Sequence, residues 1–486
     1  MADRQPFAAI PRIDIPSDYF VRIGPYLASM YERYGPIFRS DQNGHDVVFL
    51  VGPEANRFVL LSDRLKFSHS IGWTKIFGIE DAFGNGLLSM DGAEHDDHRR
   101  MMNPAFAIGY MDRYLPIMQR IIRERTAAWA ERGAVDLYEE ARKITFDVAA
   151  ETLTGLTPGP EVDEFRDLYQ AMLRLGNNVR DWDEFHREQA RLKGQLYGLL
   201  APKIAERRVH PTDDVLGMLV QARDKEGNAL SDEQLIAHTN ILLVAGHETS
   251  TSMSAWLLYL LSQHPNYLRR VRDEQAALVG DETPSLETIQ RMKVLENALS
   301  EAERMYPPVQ YAPRGVVEAF DFHGYHVPAG THVFYGIAPS HLIPSIFANP
   351  TAFDPDRFAS PREEHKKHPY ALVGFGGGPR ICIGINFAKV EIKSMVSQIL
   401  RAYTLELAPD QEVSLFGVIS RPRHGIRMRV HDRAHPDAVP DVMFCAWRET
   451  HSRMSHPVSF HSAWQDHAAL CQGKRATCCG PYSRRV

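Results

Sequence analysis

The chain is poor in cysteine. Four of its five cysteines, Cys445, Cys471, Cys478 and Cys479, lie beyond residue 440, so Cys382 is alone in the first 440 residues. One thiol cannot build a disulfide framework, which excludes a disulfide-stabilised secreted scaffold for the body of the chain. The same scarcity is typical of a reducing compartment, and we expect a cytoplasmic protein.

The chain also lacks a dominant charge and a long uninterrupted hydrophobic run. With 55 basic against 61 acidic residues, its net charge of −6 gives no indication of nucleic-acid binding. Its first residues contain no apolar core of the length that a signal peptide or membrane anchor needs. The most apolar stretch, residues 241–262, is interrupted by His247 and Glu248. That interruption favours a buried helix of a soluble protein without an integral membrane segment.

What is present is mostly helical periodicity, with little β-structure. The spacing of apolar residues predicts helices over residues 111–133, 137–155, 164–176, 231–262 and 385–403, and a strand over 47–52. Gly133 is expected to end the first helix, and Ser231 with Gln234 three residues later predicts a capping box at the start of the long one. Short strands and turns are predicted after residue 316. No internal repeat or flexible linker interrupts residues 1–432. We therefore predict one large, mainly α domain with minor β-structure (α+β), followed by a disordered or non-native extension over residues 433–486.

The stretch FGGGPRICIG, residues 375–384, surrounds the isolated Cys382 with residues that remove bulk. Three successive glycines allow sharp turns and close backbone approach, and a cysteine at a helix start is favoured as the thiolate. A single thiolate without a second nearby ligand suits haem iron better than zinc. The alternative is an inert buried cysteine beside a glycine-rich turn.

This stretch resembles the haem-binding signature of the cytochrome P450 family, Phe-x-x-Gly-x-Arg-x-Cys-x-Gly. Its five fixed positions are filled by Phe375, Gly378, Arg380, Cys382 and Gly384. The resemblance implies the P450 fold, with haem b between the long helix at 232–262 and the cysteine loop. Cys382 would then ligate the iron, Phe375 would shield the sulfur and Arg380 would pair with a propionate. The backbone at Gly376, Gly378 and Gly384 would let the porphyrin approach.

Further propionate ligands are expected in GAEHDDHRRMMNPAF. His95 and Arg99 are one helical turn apart and can point at one anionic group, although a solvated charged face would look the same. The stretch resembles the family's propionate-binding helix. Arg314, in YAPRG, resembles a further propionate arginine.

The long helix carries Ala245-Gly246-His247-Glu248-Thr249. Gly246 is costly in mid-helix, and the Thr249 hydroxyl can bond back to a carbonyl near residue 245 or 246. The alternative is a helix that is merely rich in serine and threonine. The stretch resembles the family's oxygen-binding groove, which implies space at Ala245 and Gly246 and proton delivery by Glu248 and Thr249. His247 falls at a variable position and receives no role.

A structural triad is implied by two weaker motifs. Glu301 and Arg304 share a helix face, and PTAFDPDRF resembles the family's Phe-x-Pro-x-Arg-Phe stretch with Arg357 at the arginine. In the family, such residues form a buried salt-bridged triad that locks the cysteine loop.

The resemblance implies a monooxygenase that inserts one atom of dioxygen into a C–H or C=C bond. We find no Gly-x-Gly-x-x-Gly unit between a strand and a helix, so electrons would come from a ferredoxin or flavodoxin with its reductase, and NAD(P)H would act only indirectly. Lys389 and Lys393 share a helix face and form either a basic docking patch or a solvated surface. A monomer is expected.

Rival functions are a peroxide-driven peroxygenase, a haem-thiolate isomerase and, among non-enzymes, a haem-based sensor or ligand carrier. The substrate is expected to be hydrophobic: a fatty acid, terpenoid, steroid or polyketide-like molecule. Residues expected to line its pocket are Trp73, Phe77, Phe83, Val309, Tyr311, Phe416, Val418 and Ile419, each of which could equally be core.

Overall fold

The computed structural model describes residues 4–16, 19–42, 45–175, 181–280, 282–417 and 419–434. Within them the predicted fold class is confirmed, because helices dominate and the strands form small sheets. The last strand ends at Asp432. Residues 435–486, which make up nearly all of the predicted extension, lie outside the described residues, so the domain boundary stays a prediction.

The helices occupy most of the chain between the short strands. In chain order they are α1 (Tyr19–Tyr34), α2 (Pro53–Arg57), α3 (His69–Phe77), α4 (Ile79–Phe83), α5 (Gly92–Met102), α6 (Met111–Thr126), α7 (Trp129–Arg132), α8 (Leu137–Thr154), α9 (Pro160–Leu175), α10 (Trp182–Val209), α11 (Val215–Gln221), α12 (Asp232–Gln263), α13 (Pro265–Leu278), α14 (Leu286–Arg291), α15 (Lys293–Met305), α16 (Ile337–His341), α17 (Glu364–Lys367) and α18 (Ile385–Ala402).

Local capping explains where the main helices begin and end. The Ser231 side chain accepts from the backbone N–H of Gln234 and the Gln234 side chain accepts from that of Ser231, so α12 opens on the predicted capping box. Helix α8 ends at Gly155, whose φ of 73° lies in the left-handed region. The helix predicted over residues 111–133 is instead two helices, α6 and α7, and the second ends at the left-handed Gly133.

The strands form four small sheets in the described part of the chain. They are β1 (Ile37–Gln42), β2 (His45–Val51), β3 (Phe67–Ser68), β4 (Ala134–Asp136), β5 (Tyr311–Val316), β6 (Phe320–Phe322), β7 (Tyr325–Val327), β8 (His332–Gly336), β9 (Tyr403–Leu407), β10 (Leu415–Phe416), β11 (Arg421–Pro422) and β12 (Arg427–Asp432). The largest has the order β1-β2-β8-β5-β3, and its only parallel pair joins β2 to β8, Val47 opposite His332. The others are β4-β12-β9 and the pairs β10-β11 and β6-β7.

Helix α12 is the central element of the fold. At about 1.5 Å per residue its 32 residues span roughly 48 Å. Helix α8 packs along it, and α18, which begins just after Cys382, packs against it as well. Nearly every α12 side chain from Leu235 to Leu261 is buried. Within the described ranges, no helix combines the length and the apolar composition that crossing a bilayer requires.

Candidate active site

The cysteine loop is a tight turn that depends on two left-handed glycines. Gly376 has φ 72° and Gly378 has φ 59°. The Cys382 N–H donates to the Phe375 carbonyl at 2.8 Å, which closes the loop. A methyl group on Gly378 would lie 2.2 Å from the Leu60 carbonyl oxygen, so the loop rests directly on the segment that contains Leu60.

The Cys382 side chain is accessible although protein surrounds it closely. By area it is exposed. Burial nonetheless raises the pKa of its thiol, opposed by the Gly384 N–H and the Arg99 guanidinium. The sulfur therefore borders an internal space, and the predicted preference for the thiolate is not what the chain alone produces, because burial outweighs the helix start. A metal cation at the sulfur would supply the missing counter-charge.

One face of α12 is open where the rest of the helix is buried. Ala245 is exposed, and Gly246 and Thr249 are half-buried, between turns that are fully covered. A Cβ added at Gly246 would meet no atom within 4 Å. The Thr249 hydroxyl donates to the Ala245 carbonyl at 2.7 Å, the back-bond expected from the sequence. These three residues form what we call the α12 patch.

Glu248 does not share that open face. Its carboxylate points to α8, where the Arg142 Nε lies 3.1 Å from Oε1 and the Tyr138 hydroxyl donates to Oε2 at 3.2 Å. The His247 Nε2 lies 3.3 Å from the same carboxylate. Burial alone would raise the pKa of Glu248, but His247, Arg142 and Tyr138 outweigh it and bring the pKa to about 2. His247, which the sequence left without a role, is thus a partner of Glu248.

Three arginines expected near the haem edge, Arg99, Arg314 and Arg380, bring positive charge into a buried region. Arg314 is 3% exposed, and its guanidinium donates to the Pro313 carbonyl, lies over the Tyr335 ring and forms a side-chain hydrogen bond with Tyr335. Arg380 donates to the Met90 carbonyl and lies 3.3 Å from Asp91. Burial, helped by Arg314 and Arg99 and opposed by Asp91, lowers the pKa of Arg380 to about 10.

Two histidines with lowered pKa values adjoin these arginines, and we call the five residues the cationic cluster because of the three guanidiniums. Burial and Arg380 lower the pKa of His95, which faces Asp96 at 2.9 Å. Burial, Arg314, Arg380 and His95 hold the pKa of His69 well below its ordinary value, and its Nδ1 has no partner. Sequence reasoning missed His69, because its place beside Arg314 follows only from the pairing of β3 with β5.

The residues of the cationic cluster and of the cysteine loop can be compared with the groups that haem b carries. Two propionates would neutralise Arg99, Arg314 and Arg380 and would accept from the unpartnered His69 nitrogen. Cys382 would hold the iron, with Phe375 beside the sulfur, while Gly376 and Gly384 add no side chain at the loop. The donor set therefore fits haem b, and each of these roles remains a prediction from sequence.

Glu301, Arg304 and Arg357 are brought together as an ion-paired triad. All three side chains are fully buried, and the guanidiniums lie 2.7 Å and 3.1 Å from the Glu301 carboxylate. The structure adds Glu364, 2.7 Å from Arg357. His341 ties the triad to the cysteine loop, because its carbonyl accepts from Arg304 at 3.1 Å and its Nε2 accepts from the Val373 N–H at 2.9 Å.

The residues predicted to line a substrate pocket are placed in different surroundings. Trp73 and Phe77 pack with ring centroids 5.5 Å apart, and Tyr311 lies edge-on to Phe334. Phe83 is instead 2% exposed and packs in the core against Tyr169. Val309 and Ile419 form an isolated bridge. Phe416 lies in β10 beneath two arginines, and Val418 lies outside the described residues.

The structure contradicts the exposed basic patch that the sequence suggested at Lys389 and Lys393. Lys393 is 4% exposed, and both ammonium groups lie close to the Glu296 carboxylate, at 3.5 Å and 3.4 Å. The Glu296 carboxylate therefore partly neutralises the charge of both lysines, and the buried Lys393 cannot contact a partner protein.

Comparison with known proteins shows the family. The family model for cytochrome P450 matches residues 22–417. A putative cytochrome P450 136 of Mycobacterium tuberculosis is 34% identical over 407 residues, 81% of each chain. A putative cytochrome P450 120 of Synechocystis is 31% identical over 423 residues, 85% of this chain and 93% of that protein.

Solved structures agree with these matches. The retinoic acid-bound cyanobacterial CYP120A1 superposes with a TM-score of 0.78 at 30% identity, covering 87% of this chain and 99% of its own. The haem domain of cytochrome P450DA gives 0.79 at 25% identity, covering 89% and 98%. The chain therefore belongs to the cytochrome P450 family, as its sequence predicts, and is a monooxygenase that uses haem b and dioxygen with electrons from redox partners.

Proposed function

We propose that this monooxygenase oxidises a C–H or C=C bond of a hydrophobic terpenoid, with retinoids as the first class to test. The observation that carries the proposal is the α12 patch, an open apolar surface at Ala245 and Gly246 on an otherwise buried helix. A relative 30% identical to this chain, CYP120A1, was solved with retinoic acid bound. Fatty acids, steroids and polyketide-like molecules are the other members of the expected substrate set.

Different residues of the chain are proposed to bind the cofactor and to leave space for the substrate. Haem b, when bound, supplies the activation of dioxygen and the oxidation of the substrate. Cys382 would hold the iron, and the cationic cluster of His69, His95, Arg99, Arg314 and Arg380 would hold the propionates. Ala245 and Gly246 would leave room for the substrate at the open face of α12.

Thr249 and Glu248 control protons. The Thr249 hydroxyl donates its hydrogen bond to the Ala245 carbonyl at 2.7 Å. The lone pairs of its oxygen can therefore accept a hydrogen bond from a water in the open space. Glu248 stores a negative charge behind the patch, held by Arg142 and Tyr138. When this carboxylate leaves Arg142, it loses the cation that stabilises its charge, so it can take up a proton from solvent and pass it through water at Thr249 to the patch.

Electrons arrive from a ferredoxin or a flavodoxin with its reductase, and NAD(P)H acts through that reductase. The protein works as a cytoplasmic monomer in this proposal. Reconstitution with each carrier in turn, measured as product per NADPH consumed, identifies the partner. Sedimentation of the holoenzyme checks the monomer.

The decisive experiment is a titration of the ferric holoenzyme that follows the haem Soret band. Retinoic acid should convert the spectrum from low spin to high spin, and a diterpenoid alcohol of similar length should do the same. A shift only with fatty acids or only with steroids would replace the terpenoid class. No shift with any of the four classes would overturn the proposal that the patch receives an apolar ligand.

Peroxide tests the rival chemistry. If hydrogen peroxide supports faster turnover than the redox carriers do, the protein is a peroxygenase. If Thr249→Ala leaves every property unchanged, the protein is a sensor or carrier, because a proton-delivery residue is idle in both.

A further inference from the structure

A cavity lies at the end of α18 that is far from the cysteine loop. It has a volume of about 550 Å³ and is bounded by α6, α13, the end of α18 and the start of β9. Its lining residues share a lack of acidic side chains: Arg123, Thr126, Ala127, Arg272, Gln275, Ala276, Gly280, Gln398, Arg401, Ala402, Tyr403 and Arg433. At about 1.5 Å per residue, the 18 residues of α18 separate it from the cysteine loop by roughly 27 Å.

Four arginines give this arginine cavity a strong positive charge. Among the described residues, Arg123, Arg272 and Arg433 form no ion pair with a carboxylate. Arg272 donates to the Tyr403 carbonyl at 3.2 Å, and Arg433 donates to the Leu400 and Arg401 carbonyls at 3.1 and 3.2 Å. Burial and the neighbouring Arg433 lower the pKa of Arg272. The Arg272 and Arg433 guanidiniums are thus oriented by carbonyls, and among the described residues neither has a carboxylate within ion-pair distance.

A buried amide in the same cavity lacks partners. Gln275 is 1% exposed, and neither its Nε2 nor its Oε1 forms a hydrogen bond in the described structure. The Arg272 Nε is likewise unpartnered. Leaving a buried amide unpaired is unfavourable, so a ligand that both accepts and donates hydrogen bonds would be bound where these atoms converge.

We infer that the arginine cavity binds a phosphate group, as inorganic phosphate or as the terminal phosphate of a small monoester. Guanidinium forks match phosphate oxygens, and two or more positive charges suit a doubly charged anion. Hydrogen phosphate also carries one O–H, which can donate to the Gln275 Oε1 while its oxygens accept from Nε2 and Arg272. Sulfate has the same shape and charge at neutral pH but no O–H. The site is therefore expected to prefer phosphate to sulfate.

The test is calorimetric titration of the holoenzyme with inorganic phosphate, at fixed ionic strength adjusted with chloride. Haem in place keeps phosphate away from the cationic cluster near Arg314 and Arg380. The expected result is saturable binding, at least tenfold weaker binding of sulfate, and an unchanged Soret spectrum. Glucose 6-phosphate in place of phosphate distinguishes a monoester from the free ion.

Matched variants separate a built site from general charge. Arg123→Gln combined with Arg401→Gln should weaken phosphate binding at least tenfold. Arg269→Gln removes one exposed charge from the same helix as Arg272 and should leave the affinity for phosphate within twofold of the unaltered protein. Gln275→Leu should keep the fold and abolish the preference of phosphate over sulfate. Equal loss in the Arg269 control, or no saturable phosphate binding by the unaltered holoenzyme, would overturn the inference.

Discussion

The Arg142 Nε on α8 lies 3.1 Å from the Glu248 carboxylate on α12, and both side chains are almost completely buried. This contact joins the helix that carries the α12 patch to the helix packed along it. It also takes the acid of the proton-delivery pair out of the open space where Thr249 lies. Glu248 is therefore a restrained acid whose release from Arg142 is part of the proposed proton transfer.

Arg142→Met should destabilise the protein in a pH-dependent manner. Breaking a buried ion pair leaves an uncompensated charge and costs about 3–5 kcal/mol. The pKa of Glu248 in the folded protein, about 2, lies below its ordinary 4.5. Its stabilising contribution is therefore complete above about pH 4.5 and is lost as the pH falls toward 2. The free-energy gap between unaltered and variant protein, measured by urea unfolding, should be widest near pH 7 and narrow toward pH 3.

Arg191→Met is the matched control for that experiment. Arg191 pairs with Glu188 on an exposed helix surface, at 2.5 Å. Exposed pairs of this kind contribute little to the free energy of unfolding because solvent and salt screen them. A gap for Arg142→Met that stayed constant from pH 3 to pH 7 would show that Glu248 is not the group whose ionisation the arginine stabilises.

Thr249→Ala should uncouple electron use from product formation. The variant loses the hydroxyl that positions water at the α12 patch, and a positioned proton donor contributes roughly 10²-fold or more to such steps. The amount of product formed per NADPH should fall, while NADPH consumption continues and its electrons are released as hydrogen peroxide. Thr249→Ser should restore coupling. Thr251→Val is the control, because Thr251 is buried and donates to the His247 carbonyl at 2.8 Å, away from the patch. Equal uncoupling in this variant would argue against a specific role for Thr249.

Arg314→Met should affect the haem-free and haem-loaded proteins in opposite directions. Arg314 is buried beside other cationic groups without a carboxylate partner, so a neutral residue of similar length should stabilise the haem-free chain. The same change removes a propionate partner, so the holoenzyme should lose haem faster to apomyoglobin. Arg100→Met, at an exposed position on α5, should change neither quantity by much. Destabilisation of both forms would mean that Arg314 acts only through packing on Tyr335.

Gly378→Ala should prevent the cysteine loop from seating. The added methyl group would approach the Leu60 carbonyl to 2.2 Å at a φ of 59°. Gly35→Ala introduces a similar left-handed φ, 83°, with no atom within 4 Å, and isolates the backbone cost of roughly 1–2 kcal/mol. Haem content after expression should drop sharply for Gly378→Ala and little for Gly35→Ala. Similar haem content in both would show that the contact with Leu60 can relax.

The features that the sequence predicts well are those set by neighbouring residues. The capping box at Ser231, the C-terminal glycines of α7 and α8, and the Thr249 back-bond all involve residues within a few positions of each other. The break between α6 and α7 was missed because Thr126 to Trp129 keep a helical composition. A distant contact lies at this break, because the Thr126 carbonyl accepts from the Tyr403 hydroxyl at 2.8 Å.

The features that the sequence does not predict depend on distant partners. Arg142 and Tyr138 meet Glu248 from more than 100 positions away, and His69 meets Arg314 only through the pairing of β3 with β5. Lys393 appears exposed from helical spacing, yet the packing of α18 buries it beside Glu296. The arginine cavity draws on α6, α13 and α18, so no single stretch of sequence indicates it.

The pairing of β2 with β8 determines when the protein can fold during synthesis. Val47 cannot meet its partner His332 until that residue has left the ribosome, and Cys382 follows later still. Until then the edge of β2 is unpaired and available to other chains, which favours aggregation. Translation slowed after residue 340, or chaperones that hold the nascent N-terminal half, should therefore raise the yield of folded protein.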